Sequence, residues 1–139
     1  MCEYELHVVY TSQLAADCDY AVFAPICRCA RSRNAELGIA GVLLFDGQRF
    51  LQWLHGPVEA VSALMCAVSA DPRHKDIVVH LEATLPASPS QRCWRAGFID
   101  AEALDAFTPF GPGSDRSFDH LLRLIDLADL EPADKPESA

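Results

Sequence analysis

The chain has 139 residues, half of them apolar, and a formal net charge of −9, so we predict one folded domain rather than a disordered chain. The negative charge argues against direct binding to nucleic acid, because contact with a phosphate backbone relies on clustered Lys and Arg. No apolar run approaches the ~20 residues of a membrane span, and the N-terminus lacks the basic start and apolar stretch of a secretory signal. We therefore expect a cytoplasmic protein with no membrane partner.

The six cysteines form neither a metal-binding nor a disulfide pattern. No two of them are spaced as C-x-x-C, and no histidine pair lies nearby at zinc-finger spacing. They are expected to be small, mostly buried hydrophobic residues in a reducing compartment, and no metal site is predicted.

Basic residues are concentrated at one place in an otherwise acidic chain. Arg28, Arg31 and Arg33 fall on one predicted helix, whereas the whole chain carries 20 acidic residues. Two interpretations stay open for this group, a solvated helix face and an anion site inside a cleft.

The first strand and helix are indicated by periodicity and capping residues. Residues 5–12 alternate as a strand. A helix follows that Asp17 or Asp19 can cap, and Gly38 is expected to end it. Pro25 is awkward inside this helix, so the helix either starts or kinks near it.

A hairpin and a second helix come next. Residues 39–45 and 49–55 read as strands that flank an Asp-Gly turn. Pro57 suits the first turn of a helix that runs to about Ala70. Both strands and the helix present apolar faces for a common core.

The remaining elements are a fourth strand over 76–83, a fifth within 92–98, a short helix near 101–107 and an amphipathic helix over 117–130. The order β-α-β-β-α-β predicts an α+β, ferredoxin-like fold with both helices on one face of the sheet. Strands one and three should be neighbours, and the C-terminal helices should cover the other face. We assign 1–98 to the core, 99–130 to a helical extension and 131–139 to a disordered tail.

Three polar residues lie on faces that should be apolar. Asn34 falls on the apolar stripe of the first helix, and Tyr10 and Gln52 fall on the inner faces of strands one and three. A buried amide needs partners, and Tyr10 cannot satisfy both carboxamides. A polar, planar ligand between the helices would satisfy the surplus. Taken singly, each residue also has a structural interpretation as an edge glutamine, a core tyrosine or a capping asparagine.

Five segments of the chain resemble the BLUF family, the sensors of blue light using flavin. They are VVYTS at 8–12, RNAELGIAG at 33–41, LLFDGQRFLQWLHGP at 43–57, DPRH at 71–74 and the region around Trp94. The resemblance covers about residues 5–98 in order and at family spacing, and it implies the same ferredoxin-like fold.

The resemblance implies roles for individual residues. Tyr10 and Gln52 match the photoactive tyrosine and the glutamine between it and the flavin, and Asn34 matches the asparagine that bonds the isoalloxazine edge. Arg33 takes the next position, where the family has another polar side chain. The residues that match those near the ribityl and phosphate portion are Asp71, Arg73 and His74.

The implied function is a blue-light photoreceptor rather than an enzyme. Excited oxidised flavin is a strong one-electron oxidant, and a phenol in contact with it can lose an electron and a proton. Gln52 would be left rotated or tautomerised, its bond to the flavin carbonyl would change, and absorbance would shift to longer wavelength until the state reverts in darkness. FAD is the family's usual cofactor, with FMN and riboflavin as alternatives, and a downstream partner protein and a homo-oligomer are expected.

Several positions depart from the family pattern. Ala96 stands where the family has a methionine that relays the glutamine change, His55 where glutamate is common, Ala40 where threonine is usual and Gln91 where an aromatic residue is frequent. Trp94 and Trp53 are candidate competing electron donors, and His74 can alternatively cap the second helix.

Two other functions are weighed against the photoreceptor. The departures at Ala96 and Arg33 would suit a degenerate interaction protein that has lost flavin. An acylphosphatase-like hydrolase would use Arg33 and Asn34, but adjacent helical residues point about 100° apart, and no glycine-rich anion loop supports it.

Overall fold

The computed structural model describes residues 4–87, 93–107 and 115–130. In chain order the elements are β1 (Tyr4–Leu14), a 3-10 turn (Tyr20–Val22), α1 (Phe23–Leu37), β2 (Ala40–Phe45), β3 (Arg49–Gly56), α2 (Val58–Ala70), β4 (His74–Pro86), β5 (Trp94–Phe98), α3 (Ala101–Phe107), α4 (Asp115–Leu127) and β6 (Asp129–Leu130). The longest helix, α1, has 15 residues, and none of the helices described is long and apolar enough to cross a membrane.

The strands form one sheet in the order β4-β1-β3-β2-β5-β6. β1 lies between β3 and β4 and is antiparallel to both, whereas β2 and β5 run parallel. The predicted ferredoxin-like fold is confirmed, and strands one and three are neighbours. This adjacency brings the central residues of β1 and β3 onto one surface.

Each face of the sheet carries its own hydrophobic core. Buried residues of α1 and α2 pack on the face that holds Tyr10, Leu43 and Leu54. Leu104 of α3 and Leu121 and Leu124 of α4 pack on the opposite face. Helices therefore cover the two faces as the sequence predicts.

The start of α1 resolves the difficulty that Pro25 poses. Asp19 caps the 3-10 turn by accepting a hydrogen bond from the Ala21 amide at 2.8 Å. The α-helix begins at Phe23, so Pro25 lies in its first turn, where no amide hydrogen is required. Gly38 ends the helix with a φ of 73°, a conformation that favours glycine.

Two boundaries differ from the sequence prediction near the sheet edges. β4 extends over 74–86 rather than 76–83, because it pairs with β1 along nearly its whole length. α4 ends at Leu127 rather than 130, because Asp129 and Leu130 turn back to pair with Phe98 and Gly97 of β5. The predicted tail over 131–139 and Gln91 lie outside the described residues.

Candidate functional site

Tyr10 and Gln52 form a buried cross-strand pair at the centre of the sheet. They are directly opposite each other in the β1–β3 ladder, with exposed fractions of 3% and 7%. The Gln52 Nε2 amide donates a hydrogen bond to the Tyr10 hydroxyl at 2.5 Å. Because side chains alternate between the two faces of the sheet along both strands, the phenol and the carboxamide lie on the face that α1 and α2 cover.

Trp94 fixes the orientation of the Gln52 amide. The indole Nε1 donates to Gln52 Oε1 at 3.0 Å. An indole can only donate, so the oxygen must face Trp94 and the Nε2 amino group must face Tyr10. The Tyr10 hydroxyl therefore accepts from Gln52 and keeps its own proton for another acceptor. Trp53 instead packs in the core of the opposite face of the sheet.

Burial keeps the Tyr10 phenol protonated. Removal from water raises the pKa of Tyr10 from 10.0 to about 12, and the hydrogen bond from Gln52 opposes this rise only in part. A phenolate is thus disfavoured in the folded protein. Loss of an electron from Tyr10 would have to be accompanied by loss of its proton, for which a hydrogen-bonded acceptor is needed.

A cleft between α1 and α2 opens above this pair. Its cavity volume is about 80 Å³. The lining residues come from α1, the sheet, α2 and the segment after α2: Ile26, Cys29, Arg33, Leu43, Phe50, Ala67, Val68, Asp71, Arg73 and His74. The cleft thus combines an apolar floor with a charged rim, as small-molecule sites commonly do.

Asn34 carries a buried amide donor that lacks an acceptor. The side chain is fully buried in the last turns of α1, and its Oδ1 accepts a hydrogen bond from Arg33 Nε at 3.3 Å. Its Nδ2 has no hydrogen-bond partner within the part of the chain that the structure describes. An unsatisfied buried donor costs about 1–3 kcal/mol. A ligand with a carbonyl or ring-nitrogen acceptor would remove this cost, which fits the edge of an isoalloxazine ring.

The charged rim is organised by an ion pair and a helix cap. Arg73 holds Asp71 with Nη2–Oδ2 and Nε–Oδ1 contacts of 2.6 and 3.0 Å, and this guanidinium lowers the pKa of Asp71. His74 Nε2 donates to the Val68 carbonyl at 2.6 Å, and its Nδ1 lies 2.7 Å from the Ser12 hydroxyl. The capping interpretation of His74 is therefore what the geometry shows, although its ring also lines the cleft.

The predicted site residues divide into two connected groups. Tyr10, Gln52 and Trp94 form one hydrogen-bonded chain at the sheet. Arg33, Asp71, Arg73 and His74 line the cleft above it, and Asn34 is buried beside Arg33. Sequence reasoning did not identify Cys29, an exposed thiol on the cleft wall. The spacing of four residues between Cys29 and Arg33 places both on one helix face, a signal that could have found it.

Residues 6–93 match the sequence profile of the BLUF family, described as sensors of blue light using FAD. The chain belongs to the BLUF family. BLUF domains are flavin-binding sensors of blue light rather than catalytic domains, and the six-stranded sheet with helices on both faces agrees with this membership.

Curated relatives contain the BLUF region as one part of a longer protein. The blue light- and temperature-regulated antirepressor BluF of Escherichia coli is 33% identical over 90 residues, which cover 65% of this chain and 22% of that protein. The photoactivated adenylate cyclase subunit beta of Euglena longa is 35% identical over 107 residues, which cover 73% and 12%. The chain thus spans less than a quarter of either relative.

Two solved structures, of BlrB and BlsA, match this chain over nearly their whole length. The dark-state structure of BlrB, a BLUF protein, is 27% identical with a TM-score of 0.65, covering 90% of this chain and 97% of that one. The photo-activated state of BlsA gives a TM-score of 0.69 at 21% identity, covering 95% and 99%, which supports the fold alone. Both matches extend beyond the residues of the family profile.

The BLUF sheet carries a second polar cluster on its other face. Glu5, His7 and His55 are all buried, with His55 Nδ1 3.0 Å and His7 Nε2 4.0 Å from Glu5 Oε1. Trp53 Nε1 donates to His7 Nδ1 at 3.2 Å, so the proton of neutral His7 is on Nε2. A neutral histidine that binds a metal through Nε2 carries its proton on Nδ1, so the Trp53 contact opposes metal binding by His7.

The same cluster predicts a loss of stability in acid. Burial and the neighbouring His55 lower the pKa of His7 from 6.5 to about 4, so the unfolded chain binds a proton before the folded protein does. The free energy of unfolding should therefore fall by about 2–3 kcal/mol as pH drops from 6.5 to about 4. Urea titrations across this range measure it. His7→Gln, which keeps an acceptor for Trp53 and does not titrate, should flatten the slope; an equally steep slope in this variant would exclude His7 as the cause.

Proposed function

We propose that this BLUF domain holds a flavin between α1 and α2 and reports its excitation through Tyr10 and Gln52. The observation that carries the proposal is the buried hydrogen bond between these two side chains, beneath a cleft whose wall includes Arg33 next to the unsatisfied Asn34 amide. The cleft is smaller than the roughly 300–1,000 Å³ of typical ligand pockets. We therefore expect α1 and α2 to separate, or the Arg33 and Arg73 side chains to turn outward, when the ring enters.

The chain's own residues supply the proton and hydrogen-bond chemistry. A bound flavin, once excited by blue light, provides a one-electron oxidant. Tyr10 is the donor. Its raised pKa means that it starts as the protonated phenol, and because an oxidised phenol is a strong acid, the proton leaves with the electron. Gln52 is hydrogen-bonded to the Tyr10 hydroxyl, and rotation of its amide by half a turn would place Oε1 there as the acceptor. Trp94 then loses its acceptor, which favours the return of Gln52 to its first orientation in darkness.

The remaining site residues are proposed to bind and orient the cofactor. Asn34 Nδ2 would donate to the ring edge, with Arg33 holding the other end of the carboxamide. Asp71, Arg73 and His74 would lie along the ribityl and phosphate portion, where Arg73 can exchange its intramolecular partner for a phosphate. FAD is the proposed cofactor, with FMN and riboflavin as alternatives; FMN is named in a structure of the BLUF protein BlrP1 from Klebsiella pneumoniae.

Cofactor identity is tested by extraction and reloading. Purified protein should be yellow, and heat-released cofactor analysed by chromatography and mass spectrometry should be mainly FAD. If Arg73 and its neighbours bind the phosphate portion of the cofactor, the affinity of the flavin-free protein should decrease in the order FAD, FMN, riboflavin. A colourless protein that binds none of the three would favour the degenerate interaction protein instead.

Asn34→Leu should have opposite effects on stability and on binding. Leucine is similar in size to asparagine and removes the buried Nδ2 donor. The free energy of unfolding of the flavin-free protein should therefore be unchanged or slightly higher. Flavin affinity should fall by about 1–3 kcal/mol, or roughly tenfold to a hundredfold. Urea unfolding of the flavin-free protein and fluorescence titration with FAD measure the two effects. Unchanged FAD affinity would remove Asn34 from the site.

Signalling to a partner protein is proposed because the curated relatives are named as an antirepressor and a photoactivated cyclase subunit. The antirepressor and cyclase relatives carry further sequence beyond the matched region. The homo-oligomer, the cytoplasmic location and the division at residue 98 stay predictions. The hydrolase alternative gains no support, because Arg33 Nε is bonded to Asn34 Oδ1 instead of forming an anion cradle with it.

A further inference from the structure

The edge strand β4 contains a bulge directly opposite Tyr10. Along the antiparallel ladder Val9 pairs with Leu81, whereas the next residue, Tyr10, pairs with Val79. His80 is therefore the extra residue of β4 at this point. Bulges of this kind bend a strand and redirect its side chains, and they are frequent beside functional sites.

The bulge decides which residue of β4 shares the face of Tyr10. Residues that are opposite each other in a ladder lie on the same face of the sheet, and an unbroken register would place His80 opposite Tyr10. The bulge places Val79 there instead, and Val79 packs against the core that contains Tyr10. An apolar neighbour thus replaces a basic imidazole on the face that carries Tyr10 and Gln52.

His80 is buried although it belongs to an edge strand. Of the 13 residues of β4, all of which the structure describes, His80 alone is buried, with 4% of its surface exposed. Its Nε2 lies 2.8 Å from the hydroxyl of Thr11, the residue that follows Tyr10. Burial of an imidazole costs free energy unless the ring is hydrogen-bonded. The contact with Thr11 therefore helps to hold His80 in the bulge and ties the bulge to the strand segment that carries Tyr10.

A second irregularity of β4 limits the same segment on its other side. The register shifts again beyond Thr11, and Asp76 adopts a φ of 54°, a left-handed conformation that is uncommon outside glycine. Ser12 lies at this second shift, and its hydroxyl is 2.7 Å from His74 Nδ1. The two residues that follow Tyr10 are thus each hydrogen-bonded to a histidine of β4.

Protection of an open sheet edge does not account for the His80 contact. Bulges and charged residues in an edge strand discourage pairing with another chain, and a bulge with an exposed extra residue would serve that purpose. The extra residue here is instead buried and bonded beside Tyr10. The flavin cleft is lined by other residues, so His80 acts on Tyr10 rather than on the cofactor.

We propose that His80 is a positioning residue for Tyr10. Its hydrogen bond to Thr11 closes the bulge and sets where the Tyr10 hydroxyl lies relative to Gln52. A consequence for the dark return rests on the proposed function. Without the bond to Thr11, Tyr10 is held less firmly, and the bond that its hydroxyl makes to Gln52 Oε1 after illumination is weaker. Because the amide gives up that bond as it turns back, the barrier to the return falls and recovery in darkness is faster.

The position of Tyr10 is measured by nuclear magnetic resonance on the purified full-length protein, isotopically labelled at the tyrosine Cζ and kept in darkness. The chain has three tyrosines. Tyr4 and Tyr20 are exposed and serve as internal references, and Tyr10→Phe assigns the remaining signal. His80→Leu should shift or broaden the Tyr10 signal and leave the references in place. His80→Gln, whose amide can replace the imidazole Nε2 in the bond to Thr11, should restore it.

Thr11→Val removes the same hydrogen bond from its other end. It should change the Tyr10 signal as His80→Leu does, and the double variant should add little to either change. In the flavin-loaded protein, each of these three variants should recover in darkness about threefold to tenfold faster than the wild type, the range that loss of one hydrogen bond gives. Leu104→Ala, in the core of the other face, is the control. It should lower the stability to urea and leave the Tyr10 signal and the recovery rate unaltered.

Three results would overturn the positioning role of His80. They are an unmoved Tyr10 signal in variants whose circular dichroism is native, an equal change of that signal in Leu104→Ala, and a change that His80→Gln does not reverse. If His80→Leu fails to fold, Thr11→Val carries the test. A wild-type protein that lacks a photoshift would refute the proposed function and leave the positioning role to be decided by the signal read in darkness. Recovery at the wild-type rate in every variant, in proteins that show a normal photoshift, would refute the effect on the dark return.

Discussion

Replacing Tyr10 with phenylalanine is expected to abolish the light-induced absorbance shift while flavin remains bound. The substitution removes only the hydroxyl that accepts from Gln52 Nε2, so the ring still packs in the core. Without the hydroxyl no proton can leave with the electron, and the Gln52 amide has no reason to turn. Absorption spectra taken before and after blue light should therefore coincide within noise.

Tyr20→Phe is the matched control for this variant. Tyr20 is 69% exposed and lies in the turn before α1, so its loss should leave the photoshift at full size. A normal photoshift in Tyr10→Phe would show that the tyrosine is not the donor. A photoshift lost equally in both variants would indicate damage to the fold rather than to the site.

Gln52→Leu is expected to give the second large effect, loss of the red shift without loss of light absorption. Leucine can neither donate to Tyr10 nor accept from Trp94, so no hydrogen-bond rearrangement can change the flavin spectrum. Stability should drop by about 1–3 kcal/mol, because the buried Trp94 indole loses its acceptor. Difference absorption spectra and urea unfolding measure these two results.

The control for the glutamine is Gln48→Leu, in the exposed turn between β2 and β3. It should keep the photoshift. A Gln52→Leu protein that still shifts to longer wavelength with wild-type amplitude would exclude the carboxamide from the mechanism, whatever its effect on stability.

The fold was largely predictable because local signals and tertiary pairing agree in the first 86 residues. The Asp-Gly turn, Gly38 and the alternation in β1 and β3 each specify an element independently. The agreement fails where pairing overrides the local pattern. Asp129 and Leu130 continue the amphipathic repeat of α4, yet they pair with β5. Leu37 shares the stripe of Asn34 but is 42% exposed, because the helix ends beside it.

The buried polar residues of the candidate site were predictable where a polar residue conflicts with an apolar face. Tyr10, Gln52 and Asn34 were found by this conflict, and the structure buries all three. The orientation of the Gln52 amide was not predictable, because it depends on Trp94, which lies 42 residues further along the chain.

The most direct test of the account is the absorption spectrum of the purified protein before and after blue light, followed through recovery in darkness. We predict a flavin spectrum that shifts to slightly longer wavelength on illumination, without bleaching, and that returns fully in the dark. A bound flavin whose spectrum does not move would contradict the proposed coupling of Tyr10 and Gln52 to the cofactor.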